Sequence, residues 1–394
     1  MANVFQKPNL IVDSALGMLQ DVLVLPNLVS LNPFSTDFSG LLNDTITVRI
    51  ELPTTADEWE LRSTGVDRTL NKKYLSETTI DVKLTTNVYH AVPITDEEWT
   101  LDINNFAMKV LARQVRAVRD RIEYKLSNQI READYSTLHL ADADGVYEAM
   151  TRAGTQLNNS RIPKGRNMIV GSAVYEALLL DDRFNRADSA GDAAASAALQ
   201  DARVNRVAGN NIFQVDTIPS GSAFLFHPTA FIMISRSPKQ PLSDVRGADA
   251  GQDGIAMRWL STYSQEDWAD LSVLNTYCGF ETVIDPAYTD DFGTHGDGFV
   301  RGARIQLKAT TGNTAIGNTG TITAGAGANH TRQLTLVDDY GDNRARDPFV
   351  VWDSSDDTKA TVSATGLVTG VGAGAVNITA DIDGFTKTYA ATVS

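Results

Sequence analysis

Few residues of this sequence have the types and spacing that catalysis or metal binding requires. The histidines are scattered along the chain, at His90, His139, His227, His295 and His330. They form neither a helical HExxH pair nor the local spacing of a zinc site, so we interpret them as structural or solvent-facing. An acidic, glycine-rich patch at Asp290, Asp291, His295 and Asp297 could hold a divalent cation through oxygen ligands. A solvated linker is the preferred interpretation of that patch.

Two further features resemble functional motifs only superficially. The run GVGAGA beginning at Gly370 is as glycine-rich as a phosphate loop, but no lysine follows it and it lies between predicted strands. We therefore predict a turn. Cys278 stands in the apolar run NTYCGF, which is typical of a buried, inert thiol. We expect no catalytic residue, no metal site and no cofactor, and predict that the protein is not an enzyme.

The composition is that of an ordinary globular protein. The chain has 394 residues, of which 42% are hydrophobic, enough for a sizeable core and for two or three domains. With 34 basic and 49 acidic residues the net charge is -15, which argues against general phosphate binding. A single cysteine excludes an intrachain disulfide and fits a reducing compartment. The sequence shows no signal-peptide pattern and no apolar run of membrane-spanning length, so we expect no membrane association.

The strongest local pattern predicts one long helix from Ile94 to Ala133. Thr95 and Glu98 have the spacing of a capping box, and Ile94 can pack on Trp99 as a hydrophobic staple. Apolar residues then recur every three or four positions, at Ile103, Phe106, Val110, Leu111, Val115, Val118, Ile122, Leu126 and Ile130. Such a helix would be about 55 Å long. A break near Asp102 is the alternative. An element of that length indicates an elongated subunit whose neighbours cover part of it.

Before this helix, two alternating runs flank a long polar loop. The runs 44–53 and 78–92 are typical of half-buried strands, and we expect them to pair antiparallel. The segment Trp59 to Glu77 between them is too long for a tight turn. It is interpreted either as an arm that reaches another subunit or as a merely solvated loop. Nearer the N-terminus, Val12 to Leu23 is predicted to be an amphipathic helix that Pro26 stops.

After the long helix, the pattern predicts mixed helices and strands. A helix is predicted from Val146 to Leu157 with Asp144 as its cap, followed by the strand NMIVGS and a helix from about Ala173. The segment ADSAGDAAASAALQDARVNRVAGNN is predicted to be flexible. The later runs NIFQVDTIP, SAFLFHPTAFIMISRSP and GIAMRWLSTYSQEDWADLSVLNTYCGFETVIDP favour strands. The fold class is α+β.

The order of these elements and several local strings resemble the major capsid proteins of tailed bacteriophages, which have the Hong Kong 97-type coat fold. The strings are LVLPNLVSLN, RIPKGRNMIVGSAVYEALL, VAGNNIFQVDTIPSGSAFLFHPTAF and GIAMRWLSTYS. The resemblance covers about residues 1–301 and implies the following parts: an N-terminal arm (1–43), an extended loop hairpin (44–92), a spine helix (95–133), an axial domain (about 142–237) and a return to the peripheral sheet (254–286).

The composition changes near residue 302. Short alternating runs separated by turn residues predict an all-β sandwich over 302–394, with Asp383 and Gly384 in a hairpin turn. The stretch 350–380 resembles the bacterial immunoglobulin-like group 2 signature. Its signature residues are the core tryptophan and the turn glycines, Trp352, Gly366, Gly370, Gly372 and Gly374.

The resemblance implies a structural protein that self-assembles into an icosahedral head shell around phage DNA. The implied partners are copies of itself in hexamers and pentamers, scaffolding and portal proteins, and DNA bound without sequence specificity. A surface-displayed immunoglobulin-like domain could bind a host-surface glycan. The implied location is the virion capsid, assembled in the host cytoplasm. An encapsulin-like nanocompartment shell is the alternative, and a cell-surface adhesin a weaker one.

Candidate contacts between subunits follow from the same assignment. In the extended loop they are Trp59, Arg62, Arg68, Lys72 and Lys73. On the spine helix they are Arg113, Arg116 and Arg119. Some members of the capsid family crosslink a loop lysine to a neighbour. For Lys72 and Lys73, salt bridges to acidic residues are the preferred expectation.

Overall fold

The computed structural model describes residues 24–31, 45–51, 55–58, 72, 77–101, 110–185, 206–241, 246–252, 255–264, 268–290, 293–295, 298–310, 312–325 and 329–394. The chain divides into two compact units. The first combines Met1–Ile130 with Pro228–Arg301, and the second combines Arg131–His227 with Gly302–Ser394.

The helices, in chain order, are α1 (Asp96–Leu101), α2 (Ala112–Glu132), α3 (Val146–Asn159), α4 (Ser172–Leu180) and α5 (Asp182–Asn185). The strands as far as the middle of the chain are β1 (Ser30–Leu31), β2 (Thr45–Glu51), β3 (Glu77–Lys83), β4 (Thr86–Thr95), β5 (Leu138–Ala141), β6 (Asn167–Val170), β7 (Arg206–Val207), β8 (Asn210–Gln214), β9 (Ser222–Phe226), β10 (Phe231–Arg236), β11 (Arg246–Gln252), β12 (Ile255–Ser264) and β13 (Ala269–Thr282).

The remaining strands are short. They are β14 (Ile284–Asp285), β15 (Tyr288–Asp290), β16 (Gly293–His295), β17 (Phe299–Val300), β18 (Gly302–Leu307), β19 (Ala315–Gly317), β20 (Thr331–Gln333), β21 (Thr335–Val337), β22 (Val351–Ser354), β23 (Ala360–Val362), β24 (Leu367–Gly370), β25 (Gly374–Ile382) and β26 (Phe385–Val393).

The first unit is a sheet with α2 packed against one face. Its strand order is β1-β10-β13-β12-β11, and β4 pairs with β13 along the other edge of that strand. The buried stripe of α2 consists of Val115, Val118, Ile122, Leu126 and Ile130, as its periodicity predicts. Gln114, fully buried, donates from Nε2 to the carbonyl of Ser272 at 2.9 Å and so fixes α2 on β13.

The start of the predicted long helix has the expected capping box. The amide of Glu98 donates to Thr95 Oγ1 at 3.3 Å, and the amide of Thr95 donates to Glu98 Oε2 at 3.1 Å. α1 begins at Asp96, and α2 follows two π-helical residues, Val110 and Leu111. Residues 102–109 and the side chain of Trp99 lie outside the described residues, as does the predicted helix Val12 to Leu23. In the described part, Pro26 begins a short 3-10 turn.

The predicted strand over 78–92 is in fact two strands with different partners. β3 pairs antiparallel with β2, as expected, and β4 pairs with β13. The chain changes partner at Leu84 and Thr85, where the amide of Thr85 donates to the carbonyl of Cys278 at 3.2 Å. An alternating pattern alone cannot show such a change, because both strands are half-buried and have the same period.

The second unit contains a six-stranded sheet and the C-terminal sandwich. The sheet order is β5-β18-β9-β6-β8-β7, and its fully buried residues include Phe224 and Phe226, while Met150 of α3 is also fully buried. α3 runs over Val146–Asn159, as predicted. Asp144 makes no capping hydrogen bond to α3, so that prediction was wrong. A 3-10 turn over Ala143–Gly145 places Gly145 at the N-cap position instead.

Two predicted boundaries need correction. The axial domain was expected to extend to about residue 237, but β10 pairs with β13 in the first unit, so the second unit's segment ends at His227. The sandwich was expected to begin at residue 302, but β18 lies between β5 and β9 in the six-stranded sheet. The strand GARIQL is buried at every position, which is typical of an interior strand rather than of a sandwich strand with one face in solvent.

The sandwich contains the sheets β20-β24-β23 and β22-β25-β26, and the pair β19-β21. The hairpin turn predicted at Asp383 and Gly384 joins β25 to β26, and both residues have positive φ, 48° and 95°. That geometry is the one that Asp-Gly hairpin turns require.

Candidate assembly surfaces and domain junction

The extended hairpin is anchored to the first unit at its base. Ile46 of β2 and Val82 of β3 are buried against Ile232 and Ile234 of β10. Where β3 ends, the backbone of Lys83 passes so close to Gly279 that a Cβ on Gly279 would lie 2.2 Å from the Lys83 carbonyl oxygen. The base of the hairpin therefore depends on a glycine in β13 and on four branched apolar side chains.

The residues predicted as contacts in the extended loop are only partly described. Lys72 is exposed. Trp59, Arg62, Arg68 and Lys73 lie outside the described residues, so their role as contacts stays a prediction.

The arginines predicted as contacts on α2 differ in their surroundings. Arg113 and Arg116 are exposed, and no ion pair of either is found among the described residues. Arg119 is half-buried and donates from Nε to Asp120 at 2.7 Å, so its charge is already partnered on the same helix. Farther along the exposed side, Arg121 lies over the ring of Tyr124, 5.3 Å from its centroid.

The face of the first unit's sheet that does not pack on α2 carries exposed apolar side chains. Along β13, Ser272, Leu274, Thr276 and Cys278 are buried, whereas Leu271 and Tyr277 on the opposite face are exposed. The paired strand β4 continues this face with Tyr89, which is 66% exposed. Single exposed apolar residues are ordinary, but aromatic residues on adjoining strands are typical of contact surfaces.

In the second unit, the loop before β9 is bound by one carboxylate of the sandwich. Asp342 accepts from the amide of Ser220 at 2.9 Å through Oδ1 and from the amide of Gly221 at 2.8 Å through Oδ2. Ser220 Oγ donates to the carbonyl of Tyr340 at 2.9 Å. A Cβ on Gly221 would lie 2.9 Å from the Tyr340 ring. This close approach, with its hydrogen bonds, joins the six-stranded sheet to the sandwich.

A buried network of alternating charges forms the rest of this junction. Arg304 of β18 makes two parallel hydrogen bonds to Asp347, with Nη1 to Oδ1 at 2.8 Å and Nη2 to Oδ2 at 2.7 Å. Arg344 donates from Nε to the same carboxylate at 2.9 Å and also pairs with Asp383 in the β25-β26 turn. Asp383 in turn accepts from the amide of Ala309 at 2.9 Å.

Burial opposes the charged forms of Asp347 and Arg344, but the neighbouring opposite charges outweigh the effect of burial. The pKa of Asp347 is lowered because Arg304 and Arg344 overcome the effect of desolvation. The pKa of Arg344 is raised because Asp383 and Asp347 stabilise its charged guanidinium by more than desolvation destabilises it. The charged forms of Asp347 and Arg344 are therefore both favoured. Such a network is stable only when it is complete, because each missing partner leaves a buried charge unpaired.

The immunoglobulin-like signature residues act in packing and turns. Trp352 donates from its indole nitrogen to the carbonyl of Ala345 at 3.0 Å, and its ring lies against Gly366, which has φ 75°. A Cβ on Gly370 would meet the Thr323 carbonyl oxygen at 2.3 Å, and one on Gly372 would meet that of Thr358 at 2.7 Å. Gly374 begins β25. The predicted interpretation of GVGAGA as a turn is confirmed, since it connects β24 to β25.

The other residues considered for chemistry have structural surroundings where they are described. Cys278 is fully buried in β13, and burial raises the pKa of its thiol to about 12, as expected for an inert cysteine. His139 shares a hydrogen bond of 2.5 Å with Gln156 Oε1. The segment expected to be a solvated linker after residue 287 contains the β15-β16 hairpin and β17, which pairs with β14 just before the segment.

Neither metal binding nor membrane spanning is indicated where the structure can be described. Within those ranges, no group of three or more His, Cys, Asp or Glu residues is arranged to hold a metal ion. The described helices include none that is long and apolar enough to cross a membrane.

The junction was missed in the sequence, although one signal for it was present. Arg304 interrupts the apolar strand GARIQL, and a charged residue in a fully buried strand needs a partner. The partner lies in the run NRARD, more than forty residues later. No local spacing in the sequence connects Arg304 with Asp347, because the two residues meet only when the sandwich packs against the six-stranded sheet.

Comparisons with known proteins agree with these two architectures. The family model of the bacterial Ig-like domain (group 2) matches residues 328–392. A solved chain described as Mycobacterium phage Che8 is similar over 72% of this chain and 90% of its own, with a TM-score of 0.52 and 14% identity. No curated protein matches the sequence.

Two further solved structures have lower scores. The capsid structure of the Cyanophage P-SCSP1u is similar with a TM-score of 0.47 and 11% identity, over 68% of this chain and 84% of its own. A virus-like particle from Pyrococcus furiosus has a TM-score of 0.43 and 11% identity, over 75% of this chain and 98% of its own.

The fold class predicted from the sequence is confirmed. The chain has an α+β body with the fold of the Che8 phage chain, followed by an all-β sandwich similar to bacterial immunoglobulin-like domains.

Proposed function

We propose that this protein is a major capsid protein, which self-assembles into the icosahedral shell that encloses phage DNA. The shared fold with the Che8 phage chain, over nine-tenths of that chain, is the observation that carries the proposal. The order of sequence landmarks supports it. A shell protein also needs exposed surfaces suited to contacts with other copies, and the first unit offers several, among them the extended hairpin and the arginines of α2.

The shell would be held together by many weak, repeated contacts rather than by one strong one. Apolar surface buried at each contact contributes only modestly, but closure into hexamers and pentamers multiplies the contacts per subunit. The extended hairpin is suited to reach a neighbour because Ile46 and Val82 fix its base, and residues 52–76 of the sequence connect its two paired strands.

Electron microscopy of the expressed protein, with and without phage assembly factors, tests the proposal. We expect shells or capsomers in at least one of these conditions. A protein that stays monomeric in every one of them would contradict it.

The role of the extended loop has a more specific test. Replacing 59–76 by a short Gly-Ser linker leaves β2 and β3 intact and should leave the melting temperature of the subunit unchanged, while shell yield falls. Normal shell yield and stability in this variant would show that the loop is merely solvated.

A nanocompartment shell is the second candidate function, because the same fold serves both kinds of container. It would enclose cargo protein in place of DNA. Nuclease treatment and mass spectrometry of purified particles separate the two, since a protected genome-length DNA supports the capsid and a single enriched enzyme supports the compartment.

We place the C-terminal sandwich on the outer surface of the virion, where it could bind a host-surface glycan. Scaffolding and portal proteins are the further partners proposed for assembly in the host cytoplasm, and DNA would be enclosed without sequence-specific contacts. Glycan-array binding by whole particles, compared with particles lacking the sandwich, tests the glycan proposal. Equal binding by both would refute it.

A further inference from the structure

One corner of the first unit presents aromatic and acidic side chains together. We call it the acidic corner and define it by Asp96, Glu97, Tyr263, Trp268 and Asp270. It lies at the end of β12 and the beginning of β13, beside the start of α1. The amide of Asp96 donates to the carbonyl of Trp268 at 3.2 Å, and Tyr263 donates its hydroxyl to Asp96 Oδ2 at 3.0 Å.

Trp268 is the unusual residue of this corner. Its side chain is 71% exposed, and its φ of 49° lies in the left-handed region that bulky residues rarely adopt. Glycine or asparagine would fit that backbone with less strain. Neither the packing of the subunit nor its backbone geometry explains a tryptophan here. Exposed tryptophans in otherwise polar surroundings are typical of binding hot spots.

The charges around Trp268 are all negative among the described residues of the corner. Asp96 and Glu97 are exposed at the first turn of α1, and Asp270 lies beside Tyr263 through strand pairing. Hydrogen bonding to Asp96 raises the pKa of Tyr263, with smaller contributions from burial and from the charges of Asp96 and Asp270. The corner therefore favours a cationic partner.

The same unit carries a surface of the opposite sign on α2. We call it the arginine stripe and define it by Arg113, Arg116, Arg121 and Tyr124. Arg113 and Arg116 lie one turn apart on the exposed side, and Arg121 lies over Tyr124. The stripe thus combines three cations with an aromatic ring, as the corner combines three carboxylates with two aromatic rings.

No described hydrogen bond or ion pair joins the corner to the stripe within the chain. We propose that the acidic corner of one copy docks on the arginine stripe of a second copy, with the Trp268 indole against an arginine and the carboxylates paired to the others. Arginine on an indole face adds a cation–π attraction to the ion pairs. Because the two surfaces differ, the contact is head-to-tail, and it generates a ring where its rotation closes. The proposal deepens the proposed function by naming one contact of the shell.

Trp268→Gly separates an interface role from a structural one. The substitution removes the indole and relieves the backbone, so the subunit's melting temperature should stay equal or rise while shell yield falls about tenfold or more. Val351→Thr is the matched control, since Val351 is a comparably exposed apolar residue of the sandwich, at 61%. Normal shell yield from Trp268→Gly would overturn the proposal.

A charge exchange tests the pairing itself. Arg113→Glu with Arg116→Glu makes a chain whose corner and stripe are both negative, and Asp96→Lys with Glu97→Lys makes one in which both are positive. Neither should assemble alone, but an equal mixture of the two should form hexamers, because alternation of the two variants around a ring with an even number of subunits lets each stripe meet a corner of opposite sign. Failure of the mixture to form hexamers, with both variants folded by circular dichroism, would overturn the proposal.

Two other outcomes are distinguishable. If the stripe instead contacts nucleic acid, Arg113→Glu with Arg116→Glu would form normal empty shells and lose only packaged DNA, and the proposed contact would be wrong. If the wild-type chain itself forms no shell under any condition, the proposed function fails, independently of this contact.

Discussion

Arg304 and Asp347 face each other with two parallel hydrogen bonds of 2.8 and 2.7 Å, although each side chain is at most 4% exposed. One belongs to an interior strand of the body sheet and the other to the sandwich. The sandwich is therefore not tethered by a flexible linker alone. Its attachment includes this buried ion pair. Separating the sandwich from the body sheet would leave Arg304 and Asp347 each without its partner.

Asp347→Ala should destabilise the chain by about 3–5 kcal/mol, because it leaves Arg304 buried without its main partner. Arg344 loses one of its two carboxylates in the same variant. Thermal unfolding of the full chain, followed by circular dichroism, measures the loss. Asp357→Ala is the control, since Asp357 is exposed and makes no described hydrogen bond. A melting temperature within a degree of wild type for Asp347→Ala would contradict the expectation.

Replacing both partners should cost less than removing one. In Arg304→Met with Asp347→Leu, no charge of that pair is left buried, so we expect at least half of the single-variant loss to be recovered. Comparing the free energies of unfolding of the two single variants and the double variant gives the coupling directly. Additive losses would mean that the two residues stabilise the junction independently.

The position of β18 in the body sheet determines where the chain can be truncated without loss of folding. A chain that ends at Arg301 lacks the strand between β5 and β9, so we expect it to be insoluble. A chain that ends at Lys308 keeps the strand but leaves Arg304 unpaired, and should be soluble only when Arg304→Met is added. Soluble yield and circular dichroism of the three chains check this. A chain ending at Arg301 that is soluble and folded would show that β18 is dispensable.

The sequence predicted those features that depend on neighbours in the chain. Thr95 and Glu98 form the predicted capping box, and Asp383 and Gly384 form the predicted turn. The apolar residues of α2 are buried as predicted. Short-range spacing determines each of these features. Contacts between distant segments were missed. Arg304 with Asp347 and Ser220 with Asp342 are joined only by docking, and the chain changes its pairing partner from β2 to β13 between β3 and β4 without any change of period. Such pairs leave at most a charged residue in an apolar strand as a signal.

The stability of the sandwich should increase as the pH falls from 7.5 to 5. Burial raises the pKa of Asp338 to about 6, partly offset by its hydrogen bonds from the amides of Asp342 and Tyr340. Its other oxygen, Oδ2, is buried with no hydrogen-bond partner in the described part of the chain. The pKa of Asp338 in the folded chain exceeds that of an unfolded aspartate, about 3.9. Protonation of Asp338 therefore stabilises the folded state; the stabilisation is complete below about pH 4 and is lost as the pH rises through about 6.

The expected gain between pH 7.5 and pH 5 is about 1–2 kcal/mol in the free energy of unfolding. Asp338→Asn imitates the protonated side chain, so it should stabilise the chain at pH 7.5 and flatten the dependence. Denaturant titrations at both pH values measure it, with Asp357→Asn as the control. If Asp338→Asn keeps the full wild-type pH dependence, another group is responsible for it.

Gly366 should tolerate a side chain poorly, because it lies against the Trp352 ring. Its φ of 75° is left-handed, and a Cβ there would lie 2.9 Å from the Trp352 ring. Gly384 has a similar φ of 95° but open space at its Cβ position. Gly384→Ala therefore reports backbone strain alone, about 1 kcal/mol, whereas Gly366→Ala adds the displacement of the ring, about 1–3 kcal/mol more. Urea unfolding followed by tryptophan fluorescence measures both variants. Equal losses would mean that Trp352 moves aside without cost, and the glycine would then be required only for its backbone conformation.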